Sequence, residues 1–459
     1  MRPQHDSPEP PAVPAGSGRC PVALLAVLAL VACSPSTTQP GPEDGDATDP
    51  DADDDARENP SDSRDTFEAE VSDDGEEASD ASSDGVACDG AIWENWSELR
   101  PAGDGCEGIL ADPAPGMCTL LPYFIVADDG YVGFVPGEGY HEHGIDLMSV
   151  TCGTFARLET MDSCPQGALA MQYPWFGYTC DWRAEEAPDP PPGPGSWVYA
   201  VRLYNIETGE RRQFHHVRFD PLAETAGHMR TIEIDWPWIA TEDCRNGPGL
   251  CGIVLINAET GEERVVSELF NGKDEAVEIH GNYVVFDRLT TGFGWNPCIY
   301  DMRTGIAESI FMDTIDQWGT QVDGDWVVWV DQRNDPEGTA YYPRSPDLYG
   351  WEISTRTERP MAVAAGAQMQ HFLKEGWLLW SDYRNDPTDP SGSWGSTNSD
   401  VYARRMPDGP EVRITTFPDT REWVIGLADE WVYVYRQTSD HGIADDSPPA
   451  QLLRCPLPR

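Results

Sequence analysis

The sequence predicts an all-β fold, a β-propeller of four-stranded blades, that follows a disordered acidic N-terminal tether. Three observations predict it: repeats about 40 to 50 residues long, a total of 43 glycines and 40 prolines, and an acidic stretch almost without apolar residues. Glycine and proline form turns and argue against a helical protein. We expect seven blades, with six as the alternative.

The charge of the chain excludes one class of function. The 459 residues include 80 acidic and 30 basic side chains, so the formal net charge is −50. A nucleic-acid binder needs a basic face to meet the phosphate backbone, so we expect no nucleic-acid partner. The 17 tryptophans and 16 tyrosines supply enough large side chains for a sizeable core despite this acidity.

The first element is an export signal. An uncharged apolar run follows Arg19 and ends at Cys33. Spanning a bilayer takes about 20 apolar residues, so this shorter run is typical of a signal peptide. Residues 30–33, Leu-Val-Ala-Cys, resemble the lipobox of bacterial lipoproteins. The resemblance implies a signal peptide over residues 1–32 and a diacylglyceryl membrane anchor on Cys33; an ordinary secretory signal with an incidental cysteine is the alternative.

The resemblance also bears on location. Ser34 follows the cysteine, in place of the aspartate that is associated with inner-membrane retention in enterobacteria. The expected location is therefore the cell envelope of a diderm bacterium, as an outer membrane lipoprotein facing the periplasm or the cell surface.

The second element is the tether, residues 33–90. Residues 41–90 hold 20 acidic residues against two arginines, a net charge of 2 − 20 = −18. Such a segment cannot bury enough apolar surface to offset the entropy of ordering, so we expect it to be disordered and extended. Weak cation binding is the alternative, but the EF-hand pattern fails because no glycine stands at the sixth position.

Internal repeats organise residues 91–459. Residues 322–336 return as residues 374–387, which places Trp377 51 residues after Trp326. Weaker copies raise the number of repeats to seven, with anchor aromatics 43 to 63 residues apart: Tyr131, Trp175, Trp238, Tyr283, Trp326, Trp377 and Trp431. Each copy alternates apolar and polar residues as a half-buried strand does. Four such strands per repeat are typical of a propeller blade.

The repeats resemble a known family. A Val-Val-Trp-x-Asp-x-Arg-Asn strand, then an Asp-Leu-Tyr or Asp-Val-Tyr strand, is similar to the TolB-like propeller repeats of bacterial periplasmic and surface proteins. The match is sharp in the repeats at Trp326 and Trp377. TolB has an α/β domain before six blades, and no such domain is visible here. The resemblance implies a non-enzymatic binding or scaffolding module with a protein or envelope-polymer partner.

Recurrent polar residues follow two of the anchors. A ligand site is one interpretation, because a carboxylate, a guanidinium and an amide stand close together. The other is structural: Asp and Asn cap a strand end and Arg pairs with the next blade. Recurrence at equivalent positions of a repeat favours the structural interpretation. The residues are Asp331, Arg333, Asn334, Asp382, Arg384 and Asn385. For the anchor tryptophans we expect packing between blades.

The central channel is the expected place for a ligand. Four polar residues stand nine residues before an anchor aromatic, where the inner strand of each blade should lie. We expect these residues to line the channel: Asp274, Gln317, Gln368 and Glu422.

An enzyme is the alternative function. The related oligogalacturonate lyases hold a metal through histidine in a propeller channel, so the alternative is a channel-sited polysaccharide lyase or hydrolase with a histidine and carboxylate metal site. His141 and His143 are weak metal candidates because alternate strand residues share a face. The chain contains no Gly-x-Ser-x-Gly, His-Glu-x-x-His or phosphate-binding glycine motif. We therefore assign no catalytic residue and expect no cofactor.

Ten of the 12 cysteines remain once Cys20 is removed and Cys33 is lipidated, and an even number in an oxidising compartment suggests disulfides. Free buried thiols are the alternative. Plausible local pairs are Cys244 with Cys251, Cys152 with Cys164, and Cys106 with Cys118.

Ring closure predicts one more disulfide. The last blade lacks its outermost strand, and residues 107–111 are the best candidate to supply it. We therefore predict a bond from Cys455 to Cys88 or to Cys106, and prefer Cys88 if Cys106 pairs with Cys118.

Overall fold

The structure is a computed structural model of the chain. It describes residues 100–110, 125–134, 145–150, 154–159, 168–183, 187, 190–191, 197–219, 231–243, 251–267, 272–290, 293–335, 345–386, 398–438 and 451–458. Every regular element among these residues is a β-strand. A search of the same residues finds no helix with the length and apolar character needed to cross a membrane.

The described strands are numbered along the chain. An N-terminal hairpin comprises β1 (Arg100–Gly103) and β2 (Cys106–Leu110). The strands that follow form seven antiparallel sets, which we call blades 1 to 7.

The first three blades contain four strands each. Blade 1 comprises β3 (Ile125–Asp128), β4 (Tyr131–Phe134), β5 (Ile145–Ser149) and β6 (Thr154–Glu159). Blade 2 comprises β7 (Leu169–Gln172), β8 (Trp175–Arg183), β9 (Trp197–Asn205) and β10 (Arg211–Phe219). Blade 3 comprises β11 (Ile232–Asp235), β12 (Trp238–Asp243), β13 (Gly252–Asn257) and β14 (Glu263–Val265).

The last four blades continue the pattern. Blade 4 comprises β15 (Gly272–His280), β16 (Tyr283–Thr290), β17 (Gly294–Asp301) and β18 (Ile306–Ser309). Blade 5 comprises β19 (Gln317–Asp323), β20 (Trp326–Asp331), β21 (Asp347–Glu352) and β22 (Thr357–Ala362). Blade 6 comprises β23 (Gln368–Lys374), β24 (Trp377–Asp382), β25 (Asp400–Arg405) and β26 (Val412–Arg413). Blade 7 comprises β27 (Thr420–Ala428), β28 (Trp431–Thr438) and β29 (Gln451–Pro456).

Two-residue turns join the first and second strands of the blades. Asp129 and Gly130 both have positive φ between β3 and β4, and Glu375 and Gly376 do the same between β23 and β24. Two positive φ angles in a two-residue loop match the right-handed twist of a hairpin. In all seven blades the anchor aromatic is the first residue of the second strand.

The inner strands close a ring. The first strand of each blade contacts the first strand of the next, and β27 returns to β3 through a parallel pair of Gly426 with Ala127. A Cβ on residue 426 would lie 2.8 Å from the Ala127 carbonyl oxygen, so this approach requires glycine. The β-propeller prediction is confirmed. The number of blades stays a prediction, and the seven inner strands favour seven over six.

The N-terminal hairpin completes blade 7. Strand β2 pairs antiparallel with β29, next to β28 and β27, so the outermost strand comes from the N-terminal side as predicted. Cys106 and Cys455 form a disulfide across this pair. The predicted closure disulfide is thus confirmed with Cys106. The local pair of Cys106 with Cys118 is wrong, because the β2–β29 pairing brings Cys106 to Cys455. The condition under which Cys88 is preferred is therefore not met.

The large aromatic residues of the second strands pack in the core. The anchors pack between blades, with Trp326 in the cluster shared by blades 5 and 6 and Trp377 beside the cluster of blades 6 and 7. Trp329 and Trp380, three residues further on, are fully buried. An arginine covers six of the seven anchors, within about 6 Å of the ring centre. The pairs are Arg212 on Trp175, Arg264 on Trp238, Arg303 on Tyr283, Arg359 on Trp326, Arg405 on Trp377 and Arg454 on Trp431.

Several predictions fall outside the described residues. They concern the signal peptide of residues 1–32, the tether of residues 33–90, and a group of individual residues. This group comprises Cys33, Cys88, Cys118, His141, His143, Cys152, Cys164 and Cys244. Cys251 is disulfide-bonded, so its predicted bond to Cys244 stays a prediction.

Candidate binding site in the channel

A cavity of about 130 Å³ lies where the inner strands converge. All seven inner strands contribute to its wall. The layer that includes Glu233 and Glu278 holds one residue from each of six blades: Val126, Ala170, Glu233, Glu278, Gln321 and Phe372. Two neighbouring glutamates are thus the only ionisable side chains of this layer among the described residues.

The mouth of the cavity is built from the last residues of the inner strands. In four blades this side chain accepts a hydrogen bond from a backbone N–H in the turn of the next blade. The bonds are Tyr173 N to Asp128 Oδ2 at 2.9 Å, Trp236 N to Gln172 Oε1 at 2.7 Å, Gly281 N to Asp235 Oδ2 at 2.5 Å, and Gly376 N to Asp323 Oδ2 at 2.6 Å. These polar side chains therefore join successive blades and hold the mouth in one geometry.

Lys374 occupies the mouth where this pattern is interrupted. The inner strand of blade 7 ends at Ala428, which has no polar side chain. Lys374 of blade 6 reaches past that position, and its Nζ lies 2.5 Å from Oδ1 of Asp128 in blade 1. A lysine ion pair thus links blades 6 and 1 across the mouth.

Glu233 and Glu278 lie deeper in the channel, on the adjacent strands β11 and β15. Burial raises the pKa of Glu233 well above its usual range, and the neighbouring Glu278 raises it further. Burial likewise raises the pKa of Glu278, while Lys374 acts in the opposite direction on both groups. Because the two carboxyl groups repel each other when both are ionised, the loss of a proton from one makes the loss of a proton from the other less favourable.

The residues predicted to line the channel lie elsewhere. Asp274, Gln317, Gln368 and Glu422 are fully buried and none of them lines this cavity. A β-bulge interrupts the inner strands of blades 4 to 7 between these positions and the cavity. A bulge inserts one residue and reverses the alternation of faces, so a constant offset from the anchor does not identify channel-facing positions.

The four buried residues have different surroundings. Arg288 donates two hydrogen bonds to Asp274, at 2.9 and 2.8 Å. Burial raises the pKa of Glu422 to about 9, although Thr420 and Thr415 donate hydrogen bonds to it. A carboxyl group in this environment is protonated at neutral pH.

The recurrent motif of blade 5 holds strand ends together. Asp331 accepts hydrogen bonds from Trp329 Nε1 at 3.0 Å and from the Arg333 backbone at 2.8 Å. Asn334 Nδ2 donates to Asp347 Oδ2 at 2.8 Å and to the Tyr349 hydroxyl at 3.0 Å. The side chains that a ligand would need are thus engaged within the blade, which supports the structural interpretation.

Blade 6 repeats this network with Asp382, Arg384 and Asn385. The arginines pair with Glu358 and Glu411 on the outer strand side of their own blades. The expectation that each arginine pairs with the next blade is therefore wrong, because the strand end folds back over its own sheet.

Sequence reasoning missed Glu233, Glu278 and Lys374. The two glutamates stand five residues before Trp238 and Tyr283, and Lys374 stands three residues before Trp377. The same repeat alignment could have identified the two glutamates by a shorter offset of five residues before the anchor, because the bulge lies further from the anchor than this position.

No group of three or more His, Cys, Asp or Glu side chains arranged to hold a metal ion occurs in the described part of the chain. His215 does lie fully buried between blades 2 and 3, with Nδ1 3.1 Å from Glu263 and Nε2 3.7 Å from Asp243. The two carboxylates outweigh burial and raise the pKa of this histidine.

The chain was compared with known families, curated proteins and solved structures. No family model matches it, and no curated protein matches it. Among solved structures, the propeller domain of the Trilobed protease from Pyrococcus furiosus is 12% identical, covers 73% of this chain and 94% of that one, and superimposes with a TM-score of 0.49. TolB from Acinetobacter baumannii is 12% identical, with 71% and 80% covered and a TM-score of 0.36.

The acylaminoacyl peptidase of Pyrococcus horikoshii is 11% identical, with a TM-score of 0.47. The aligned region covers 73% of this chain and 51% of the peptidase. Likenesses at this level carry no information about activity.

Proposed function

We propose that the protein is an exported, lipid-anchored β-propeller that acts as a non-enzymatic binding or scaffolding module at the cell envelope of a diderm bacterium. The cavity supports the binding role, because every inner strand contributes to its wall. The Leu-Val-Ala-Cys sequence of residues 30–33 supports the anchor, and Ser34 after the cysteine supports an outer membrane location.

The mouth geometry supports recognition of a partner. Hydrogen bonds between successive blades fix the polar side chains around the opening before any ligand arrives. A preorganised site loses little entropy on binding. Cavities for drug-sized ligands measure about 300–1,000 Å³, so a cavity of about 130 Å³ suits a narrow group that projects from a protein or an envelope polymer.

Capture of partners with a blocked channel tests this role. Val126→Trp places a large side chain in the cavity wall, and Val363→Trp makes the same change at an exposed position on the far side of blade 5. Full-length wild-type protein and Val363→Trp should recover the same cross-linked partner from envelopes, and Val126→Trp should lose it. Equal recovery with Val126→Trp would contradict a role for the channel.

The anchor has its own test. Cys33→Ser removes the thiol that would carry the diacylglyceryl group, so the variant should lose lipid labelling and leave the membrane fraction. Cys20→Ser is a control in the same segment that keeps Cys33. Unchanged fractionation of Cys33→Ser would contradict the lipoprotein proposal.

A further inference from the structure

We propose that the cavity binds a primary ammonium group of a polypeptide, a lysine side chain or an amino terminus, between Glu233 and Glu278. This inference rests on the proposed binding function and names the chemistry that the channel recognises. The two glutamates occupy equivalent positions on adjacent inner strands and both line the cavity.

The first argument is that neither carboxylate has a counter-charge in contact. No ion pair or side-chain hydrogen bond joins Glu233 or Glu278 to another residue of the described chain, and Glu233 accepts a hydrogen bond from the backbone of Ile234. Lys374 acts on both through space, but its ammonium group contacts Asp128. The pair therefore lacks the cation that two ionised carboxylates in a channel need.

The second argument concerns the rest of this layer. Val126, Ala170 and Phe372 are apolar, and Gln321 Oε1 accepts a hydrogen bond from the Leu373 backbone at 2.8 Å. An apolar wall facing a carboxylate pair complements an aliphatic chain that ends in a charge. A lysine side chain has this shape, with an apolar stem and a charged head.

The third argument separates an ammonium group from a metal ion. Calcium takes six to eight oxygen ligands, and zinc takes four ligands. The described residues contain no group of three ligands that could hold a metal. An ammonium group donates three hydrogen bonds, which two carboxylates can accept.

The same geometry predicts that binding depends on pH. The titratable groups that face the pair are Lys374, Asp128, Asp235, His280 and Asp323 at the mouth. Burial raises the pKa values of both glutamates, and a cation bound between them favours their ionised forms. Ammonium binding should therefore release a proton and tighten with rising pH, until the amine itself deprotonates near its own pKa, about 10.4 for a lysine side chain and about 8 for an amino terminus.

Calorimetry on the full-length protein tests the inference. The probes are an acetylated Gly-Gly-Lys-Gly-Gly amide, its norleucine analogue, an unblocked Gly-Gly-Gly-Gly amide with a free amino terminus, and calcium chloride. We expect the lysine or the free-amino peptide to bind with proton release, and the norleucine analogue to bind at least tenfold more weakly, as about 1.5 kcal/mol or more for a charged hydrogen bond implies. The peptide that binds identifies the source of the ammonium group.

Three variants complete the test. Glu233→Gln and Glu278→Gln should each weaken the binding peptide at least about tenfold, and Glu375→Gln, an exposed acid beside the mouth, should change it less than about twofold. Equal binding of the norleucine analogue, undiminished binding by both channel variants, or binding of calcium without peptide would overturn the inference. A partner that is lost with Val126→Trp but kept with both glutamine variants would leave the proposed function standing and refute the ammonium site.

Discussion

Blades 5 and 6 carry the same motif, yet their buried polar groups are satisfied differently. In blade 6, Arg413 Nη2 donates to Asp400 Oδ1 at 2.6 Å. In blade 5 the corresponding position is Pro360, because Tyr349 pairs with Pro360 as Tyr402 pairs with Arg413. Proline has no side-chain donor, so Asp347 Oδ1 is buried without a hydrogen-bond partner in the described chain.

A second difference lies on the inner strands. Gln368 in blade 6 accepts a hydrogen bond from Ala364 N at 3.2 Å and donates one to Gly366 O at 3.0 Å. Gln317, its counterpart in blade 5, is equally buried, and neither its Oε1 nor its Nε2 has a partner in the described chain.

The neighbouring blade explains the difference at Gln317. Asp313, the counterpart of Ala364, donates its backbone N–H to Asn296 Oδ1 of blade 4 at 2.8 Å. The donor that would have served Gln317 is thus engaged elsewhere. A repeat preserves the bonds within its own motif, and bonds at its border depend on the residues of the neighbouring blade.

The largest expected effect on the free energy of unfolding concerns the buried tryptophan that both blades share. Trp329 and Trp380 are fully buried, and each donates Nε1 to the motif aspartate of its blade. Trp329→Ala and Trp380→Ala should each lower the free energy of unfolding by about 3–5 kcal/mol, the range for removal of a large buried aromatic residue. Denaturant unfolding measures both.

The half-buried anchor Trp377 provides the control. Trp377→Ala should cost less than Trp380→Ala, because the anchor keeps part of its surface in solvent. Costs for Trp329→Ala and Trp380→Ala that differ by more than about 2 kcal/mol would show that the shared motif does not determine stability in the same way in both blades.

The next prediction compares how substitution of the buried glutamine changes the free energy of unfolding in each of the two blades. Gln368→Leu leaves Ala364 N and Gly366 O without their side-chain partner and should cost about 1–3 kcal/mol. Gln317→Leu removes two unpaired polar atoms and should be neutral or stabilising by about 1 kcal/mol. Thermal unfolding of the two variants at one pH gives the comparison. Destabilisation by Gln317→Leu as large as that by Gln368→Leu would show that Gln317 does have partners.

The repeats, the anchors and the closing strand were all predictable from the sequence. Alternation and turn residues are local signals, and the missing outer strand after Trp431 follows from counting strands. The disulfide was predictable only as a choice between Cys88 and Cys106, because the choice depends on strand pairing.

The constant offset of nine residues from the anchors did not identify the channel-facing residues. The bulge in blade 5 reverses the faces between Gln317 and Gln321, and Gly319 within it is a sequence signal for a bulge. The corresponding positive-φ residues of blades 4 and 6 are Ala276 and Gln370, and neither residue type marks a bulge. The Asp128 to Lys374 pair spans 246 residues and depends on Ala428, a small residue at one position of a different blade. Such contacts follow from closure of the ring.

The smallest expected effect concerns the pKa of Asp347, the blade 5 counterpart of Asp400. Burial raises the pKa of Asp347 to about 6, and the hydrogen bond from Asn334 only partly offsets this. Because the folded state binds its proton more tightly than the unfolded state does, Asp347 stabilises the fold less as pH rises from about 3.9 to about 6.

Pro360→Arg places a guanidinium where blade 6 has Arg413, so the pKa of Asp347 should fall below its wild-type value. Titration of the Asp347 carboxyl carbon by NMR measures this shift, with Asp400 as the internal control, since its pKa should not change. The gain in stability above pH 6 should stay below about 1 kcal/mol, because proline restricts the unfolded chain and its removal offsets part of the new ion pair. An unchanged pKa at Asp347 would mean that the arginine does not reach the carboxylate, and that Pro360 is not what distinguishes the two blades at this position.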